Sequence, residues 1–276
     1  MSTEPFFTTN INYTVDNGIP PEYFLYEPDP SVTVNAPVTD SREVRIYDGW
    51  KKADQFSVDR EGFEILTFPT PFDEFDQDDA VKDRFYPAVI EWVKKATGAH
   101  RVVVFDHTIR KRMPDGFDQQ TDVQRPAVQL AHCDYTVKSG PQRVRDILPR
   151  EADGLLRRRV VFFNVWKPLY RTVEELPLAM CDVSSCTQED MLIMDLRYRD
   201  RAGEIYVMRY SPSHRWYYFP AMGPDNALLL KTYDSETEGK ARFMGHTAFE
   251  DPNTPLNAMK RESIEIRTMA FFDSVA

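Results

Sequence analysis

Apolar residues recur at Val81, Phe85, Val89 and Val93 within DDAVKDRFYPAVIEWVKKATG, residues 78–98, a four-residue spacing that lays one stripe along a helix. Acidic residues open the segment and Gly98 closes it, the order in which helices start and stop. Pro87, inside it, predicts a kink or a split. After Gly98 the period changes. RVVVF, RRRVVFFNVW, DMLIMDL, EIYVMRYS, RWYYFP, NALLLKTYD and SIEIRTMAFF are short β-branched or aromatic runs parted by turn residues, which is the pattern of strands. Residues 1–57 are Pro-rich and predict an extended arm over the surface with short strands such as REVRIYD.

Strands and helices do not alternate, so a parallel doubly wound sheet is excluded as the expectation. Many short strands with one flanking helix predict a mainly β fold, an antiparallel double-stranded β-helix or jelly roll of the cupin kind. No linker divides the 276 residues, and a single domain is expected, with the arm at 1–57 and a β-rich, metal-binding core at 99–273. Rossmann, P-loop and nucleophile-elbow glycine patterns are absent from the sequence.

A net charge of −10, from 44 acidic against 34 basic residues, argues against a nucleic-acid or anionic-membrane partner and leaves a small molecule as the expected one. A homodimer stays open. Three cysteines, Cys133, Cys181 and Cys186, have no zinc-cluster spacing and read as thiols in a reducing compartment. The N-terminus lacks a basic-then-apolar leader and no run approaches a membrane span, so a cytoplasmic location is expected.

The chemistry starts at AHCDYT, residues 131–136. In an extended strand His132 and Asp134 project to one face ~7 Å apart, close enough to share an ion. A third ligand must come from the other histidines. His246, in ARFMGHTAFEDP, lies 112 residues past Asp134, and 15 residues further comes Arg261 in R-E-S. Two histidines and a carboxylate on one face of a metal form the triad of non-haem Fe(II) oxygenases, with positions left for co-substrate and oxygen. Arg261 with Ser263 could clamp a dicarboxylate. His214, 80 residues past Asp134, is the rival third ligand. Arg267 shares the strand parity of Arg261 and is the alternative clamp. His107 and Arg110 are expected to line the mouth of the site. Trp166, Lys167, Trp216, Tyr217 and Tyr218 are candidates for the pocket wall, and Cys133 should point away as a small buried group.

The segments GFEILTFPT, FYPAVIEWVKKATGAHRVVVFDHTIR, RPAVQLAHCDYT, VVFFNVWKPL, HRWYYFP, LLLKTYDS, HTAFEDP and RESIEIR resemble, in order, the cephalosporin 7α-methoxylase component and gibberellin-desaturase-like family of microbial natural-product oxygenases. The resemblance covers about residues 43–272, and HTAFEDP with RESIEIR is its most specific part. It implies a double-stranded β-helix using Fe(II), 2-oxoglutarate and O2 to hydroxylate, desaturate or cyclise a secondary metabolite or its precursor. Carried over by position, the metal ligands are His132, Asp134 and His246, and the clamp is Arg261. The sequence departs from that pattern at Cys133, at Lys167 and at Ala221, the last two being positions where arginine is usual. Two alternatives stand beside this reading: an iron isomerase or oxidase that does not use 2-oxoglutarate, and a non-catalytic jelly-roll binding protein.

Overall fold

The computed structural model describes residues 5–111 and 127–275. Two sheets make up the molecule. The larger has nine strands in the order Phe6–Thr14, Thr39–Asp48, Trp216–Tyr218, Leu178–Cys181, His246–Ala248, His132–Cys133, Ala202–Met208, Met191–Arg197 and Glu22–Phe24. The smaller has five: Phe63–Thr67, Asn226–Asp234, Arg158–Pro168, Glu262–Val275 and Arg101–Lys111. All pairings in the five-stranded sheet are antiparallel. This is the expected jelly roll.

The strand 158–168 shows why so many apolar positions are continuous rather than alternating. Val161, Phe163 and Val165 pack outward onto the helical layer, while Trp166 joins Met180, Tyr217, Leu228 and Leu230 between the sheets. Both faces are covered, so both must be apolar. The outer cover is the predicted helix, and Val81, Phe85, Val89 and Val93 are all fully buried. Each such side chain contributes roughly 1.5–3 kcal/mol relative to exposure. Pro87 splits this helix in a specific way: a π-helical turn, Val81–Phe85, precedes Tyr86–Thr97. The proline then falls at the start of the second segment, where its missing N–H costs no helical hydrogen bond. Gly98 ends the helix in the left-handed region at φ 74°.

Three expectations change. The arm at 1–57 is not merely draped over the surface. Phe6–Thr14 pairs along its whole length with Thr39–Asp48 at one edge of the nine-stranded sheet, and Glu22–Phe24 forms the opposite edge. Helices Ser139–Ile147 and Ala152–Leu155 join the one predicted, their apolar positions being too few to show a stripe. The strand at AHCDYT is only His132–Cys133, with a bend at Asp134. No helix among the described residues is long and apolar enough to cross a membrane.

Candidate metal centre and its anion pocket

Register explains how residues far apart in sequence meet. His246 is the direct cross-strand partner of His132. Their rings lie 4.5 Å apart by centroid, as expected for paired residues on one sheet face. Asp134, just past the strand end, turns its Oδ1 to 3.6 Å from His132 Nε2. One ligand atom from each of His132, Asp134 and His246 falls within 4.8 Å of the others.

Each ring is fixed from behind. His132 Nδ1 lies 2.7 Å from the Leu130 carbonyl and His246 Nδ1 3.4 Å from the Met244 carbonyl. A carbonyl can only accept, so each Nδ1 carries a proton, and in the neutral ring Nε2 is the nitrogen left for a metal. Burial pushes His132 down to about 4, and neighbouring His246 pushes the same way. For Asp134, burial would raise the pKa, but Arg267, the two histidines and the Asn164 amide outweigh it, and the carboxyl sits well below its usual range. Asn164 donates to Asp134 Oδ2 at 2.5 Å. Neutral imidazoles and an ionised carboxylate are the states in which these groups bind metal.

The terminal strand brings Arg261, Ser263, Glu265 and Arg267 to one face. Arg267 is already satisfied. It donates to Thr108 Oγ1 at 2.9 Å, Asp106 Oδ2 at 3.2 Å and the Glu265 carboxylate, and its Nε is 3.8 Å from Asp134 Oδ2. Arg261, 5% exposed, donates to the Leu176 carbonyl and lies over the Trp166 ring at 5.9 Å. No carboxylate among the described residues is within ion-pair distance of it. Burial, reinforced by Arg110 and only partly offset by Glu265 and Glu175, lowers its pKa to about 9. Beside it Ser263 Oγ is fully buried with no hydrogen-bond partner. A buried hydroxyl without a partner is costly, and its place next to a guanidinium with no direct ion pair among the described residues suits an anionic ligand.

Other predicted residues land elsewhere. His214 is not near the triad; it stacks on Tyr13, and its Nε2 lies 3.4 Å from Asp190 Oδ2. His107 and Arg110 do not line one mouth together. His107 turns under the helix, with Nδ1 2.7 Å from the Tyr86 hydroxyl, whereas Arg110 is the register partner of Ser263. Lys167 likewise faces the helix side: its Nζ donates to the Phe68 carbonyl at 3.2 Å and sits over the Phe68 ring. Trp216 donates to the Tyr13 hydroxyl at 2.7 Å and Tyr218 packs on Phe249, so both leave the inner face to the intervening Tyr217. Trp166 is inside, as expected. Cys133 points away from the triad, its thiol on the Thr232 carbonyl. Asn164 went unnoticed in the sequence; its signal was a lone amide in the apolar run VVFFNVW.

A jelly roll carrying two histidines and a carboxylate on its inner face, beside a buried arginine, defines a non-haem iron oxygenase by fold and donor set. Comparison with known proteins agrees. A family described as "Oxidoreductase/YMDC permease-like domain" matches residues 11–271. The hydroxylase/desaturase efuI of Hormonema carpetanum is 30% identical over 79% of this chain and 80% of its own length. The alpha-ketoglutarate-dependent dioxygenase phiK of a fungal species (strain ATCC 74256) is 30% identical over 84% of this chain and 85% of its own. A solved structure of the iron and alpha-ketoglutarate-dependent endoperoxidase NvfI superposes with a TM-score of 0.88 at 25% identity, covering 98% of this chain and 99% of that one. The chain therefore belongs to the Fe(II)/2-oxoglutarate-dependent dioxygenases and hydroxylases of fungal secondary metabolism. It is an oxidoreductase of that family, whose reagents are iron, 2-oxoglutarate and O2, and whose substrates are small molecules.

Proposed function

We propose that His132, Asp134 and His246 hold the Fe(II), and that Arg261, Ser263 and Arg110 receive the far carboxylate of 2-oxoglutarate. The observation that carries this reading is the pairing of a partnerless buried Ser263 hydroxyl with a buried Arg261 that has no carboxylate within ion-pair distance among the described residues. The bound metal, with 2-oxoglutarate and O2, supplies abstraction of a hydrogen atom from a substrate C–H bond while the co-substrate leaves as succinate and CO2.

The chain's own part is geometric and electrostatic. Leu130 and Met244 carbonyls fix the imidazoles, and Asn164 with Arg267 fixes the Asp134 carboxylate. Trp166 walls the anion end. The substrate is a small secondary metabolite or precursor that undergoes hydroxylation, desaturation or oxidative cyclisation. Relatives named hydroxylase/desaturase support the first two outcomes, and a kinship of HTAFEDP and RESIEIR with the cephalosporin and gibberellin enzymes belongs to the same proposal. A net charge of −10 favours a free small molecule over nucleic acid or an anionic membrane as the partner, and a cytoplasmic location is part of the same proposal. Incubation with Fe(II), 2-oxo[1-14C]glutarate and O2 tests the reading: labelled CO2 and succinate should appear in equal amounts and depend on iron. Absence of succinate with product still formed would reduce the protein to an iron oxidase or isomerase.

A further inference from the structure

Cys181 and Cys186 are held together by the turn between them. Asp182 accepts from the Ser184 N–H at 2.9 Å and opens a 3₁₀ turn, Val183–Ser185, and Cys186 N–H returns to the Val183 carbonyl at 3.0 Å. The two sulfurs end 3.4 Å apart, as free thiols. Cys181 is fully buried, whereas Cys186 is partly open to solvent. His214 acts on Cys186 electrostatically, while its two ring nitrogens face Asp190 Oδ2 at 3.4 Å and the Tyr13 hydroxyl at 3.2 Å. A partly exposed thiol in contact with a second, buried thiol is the arrangement in which one sulfur is oxidised and the other resolves the product.

We propose that Cys186 and Cys181 form an oxidisable dithiol that reduces a hydroperoxide, with Cys186 as the attacking sulfur and Cys181 as the resolving one. The Cys186 sulfur attacks the terminal peroxide oxygen; the S–O bond forms, the O–O bond breaks and the alkoxide leaves with a proton as alcohol. Cys181 then attacks the Cys186 sulfenic acid. An S–S bond forms, the S–O bond breaks and hydroxide takes the Cys181 proton to leave as water. Two thiols are oxidised by two electrons, and one hydroperoxide is reduced to alcohol and water. Access favours this order and this class of oxidant, since a small peroxide reaches part-exposed Cys186 whereas Cys181 is fully buried.

Electrostatics agrees with the geometry. Hydrogen bonding from Cys181 is the largest influence on Cys186 and, with His214, outweighs burial to bring its thiol down to about 6. Cys181 moves the other way, raised by burial, by Cys186 and by Asp182. Low pKa on the exposed sulfur and high pKa on the buried one set which is the thiolate. The pair lies one strand from the proposed metal centre, because Cys181 N–H donates to the Gly245 carbonyl at 2.8 Å.

The test uses the full chain in chelator, so that its outcome does not depend on iron chemistry. Stoichiometric hydrogen peroxide should remove two of the three titratable thiols in unfolded, quenched samples, yield a peptide cross-link between Cys181 and Cys186, and be reversed by dithiothreitol. Cys181→Ala should stop at a sulfenic acid on Cys186, trapped by dimedone, and His214→Gln should slow the reaction by about tenfold or more. Cys186→Ser should form no cross-link. The proposal is overturned if wild-type protein keeps all three thiols, if Cys186 reacts no faster than a free cysteine, or if dimedone labels Cys133 instead. Oxidation by a bulky disulfide but not by peroxide would also overturn it.

Discussion

Arg261, just before the terminal strand, and Arg267, six residues on within it, live in opposite circumstances. Arg267 is surrounded by Asp134, Glu265, Asp106 and Thr108, which outweigh its burial and hold its charge firmly. Arg261 has a carbonyl, an aromatic ring, a neighbouring Arg110 and a partnerless serine. Burying a cation without a counter-charge costs several kcal/mol. A ligand that supplies a negative charge would offset that cost, so the proposed function assigns Arg267 to the structure and Arg261 to the binding event. Sequence parity alone placed both on one face and left the choice open.

Replacing them separates the two roles. Arg267→Met removes the counter-charge of buried Asp134 and Glu265, and unfolding should become easier by about 3–5 kcal/mol, read as a fall in denaturation midpoint with loss of iron binding. Arg261→Met should leave the fold intact or more stable, because it removes a buried charge with no direct ion pair among the described residues, yet raise the apparent KM for 2-oxoglutarate about a hundredfold, corresponding to a charge-assisted pair. Equal loss of stability in both variants would erase the distinction. Ser263→Ala is the milder version: a roughly five- to tenfold rise in that KM from one lost hydrogen bond, and no loss of stability.

Lys167 extends the comparison to the other face of the same sheet. It too is buried without a direct ion pair among the described residues, and burial lowers its pKa to about 8, a depression that the Asp225 charge only partly offsets. Its folded pKa therefore lies below the unfolded value near 10.5. The unfolded chain binds the extra proton between those limits, so folded stability rises as pH goes from about 8 towards 10.5. Lys167→Met should abolish that component and raise stability near pH 7 by ~1–2 kcal/mol, seen as a difference between variant and wild type in thermal melts across pH. Because Lys167 faces the helix, the KM for 2-oxoglutarate should not move.

Much of this was legible beforehand for a physical reason: strands and one helix stripe are local periodicities. NALLLKTYD matches the strand Asn226–Asp234, and the buried stripe of the helix was read residue by residue. His132, Asp134 and His246 were readable as donors, since few side chains in a β chain can ligate a metal. What pairs with what was not legible. The register that sets His246 against His132, the bulge between Arg267 and Thr268, and the choice of face for Tyr217 over Trp216 and Tyr218 depend on strands far apart in sequence. The same is true of Phe6–Thr14, whose alternation was overlooked among prolines until its partner Thr39–Asp48 gave it an edge.

The central claim, that the triad is completed across strands by His246 and not by His214, is tested by anaerobic Fe(II) titration of His246→Ala and His214→Ala with 2-oxoglutarate present, following the metal-to-ligand absorption of the complex. Wild type and His214→Ala should each bind one iron and develop the band, and His246→Ala should develop none while melting as a folded protein. Retention of the band in His246→Ala, with its loss in His214→Ala, would contradict the account.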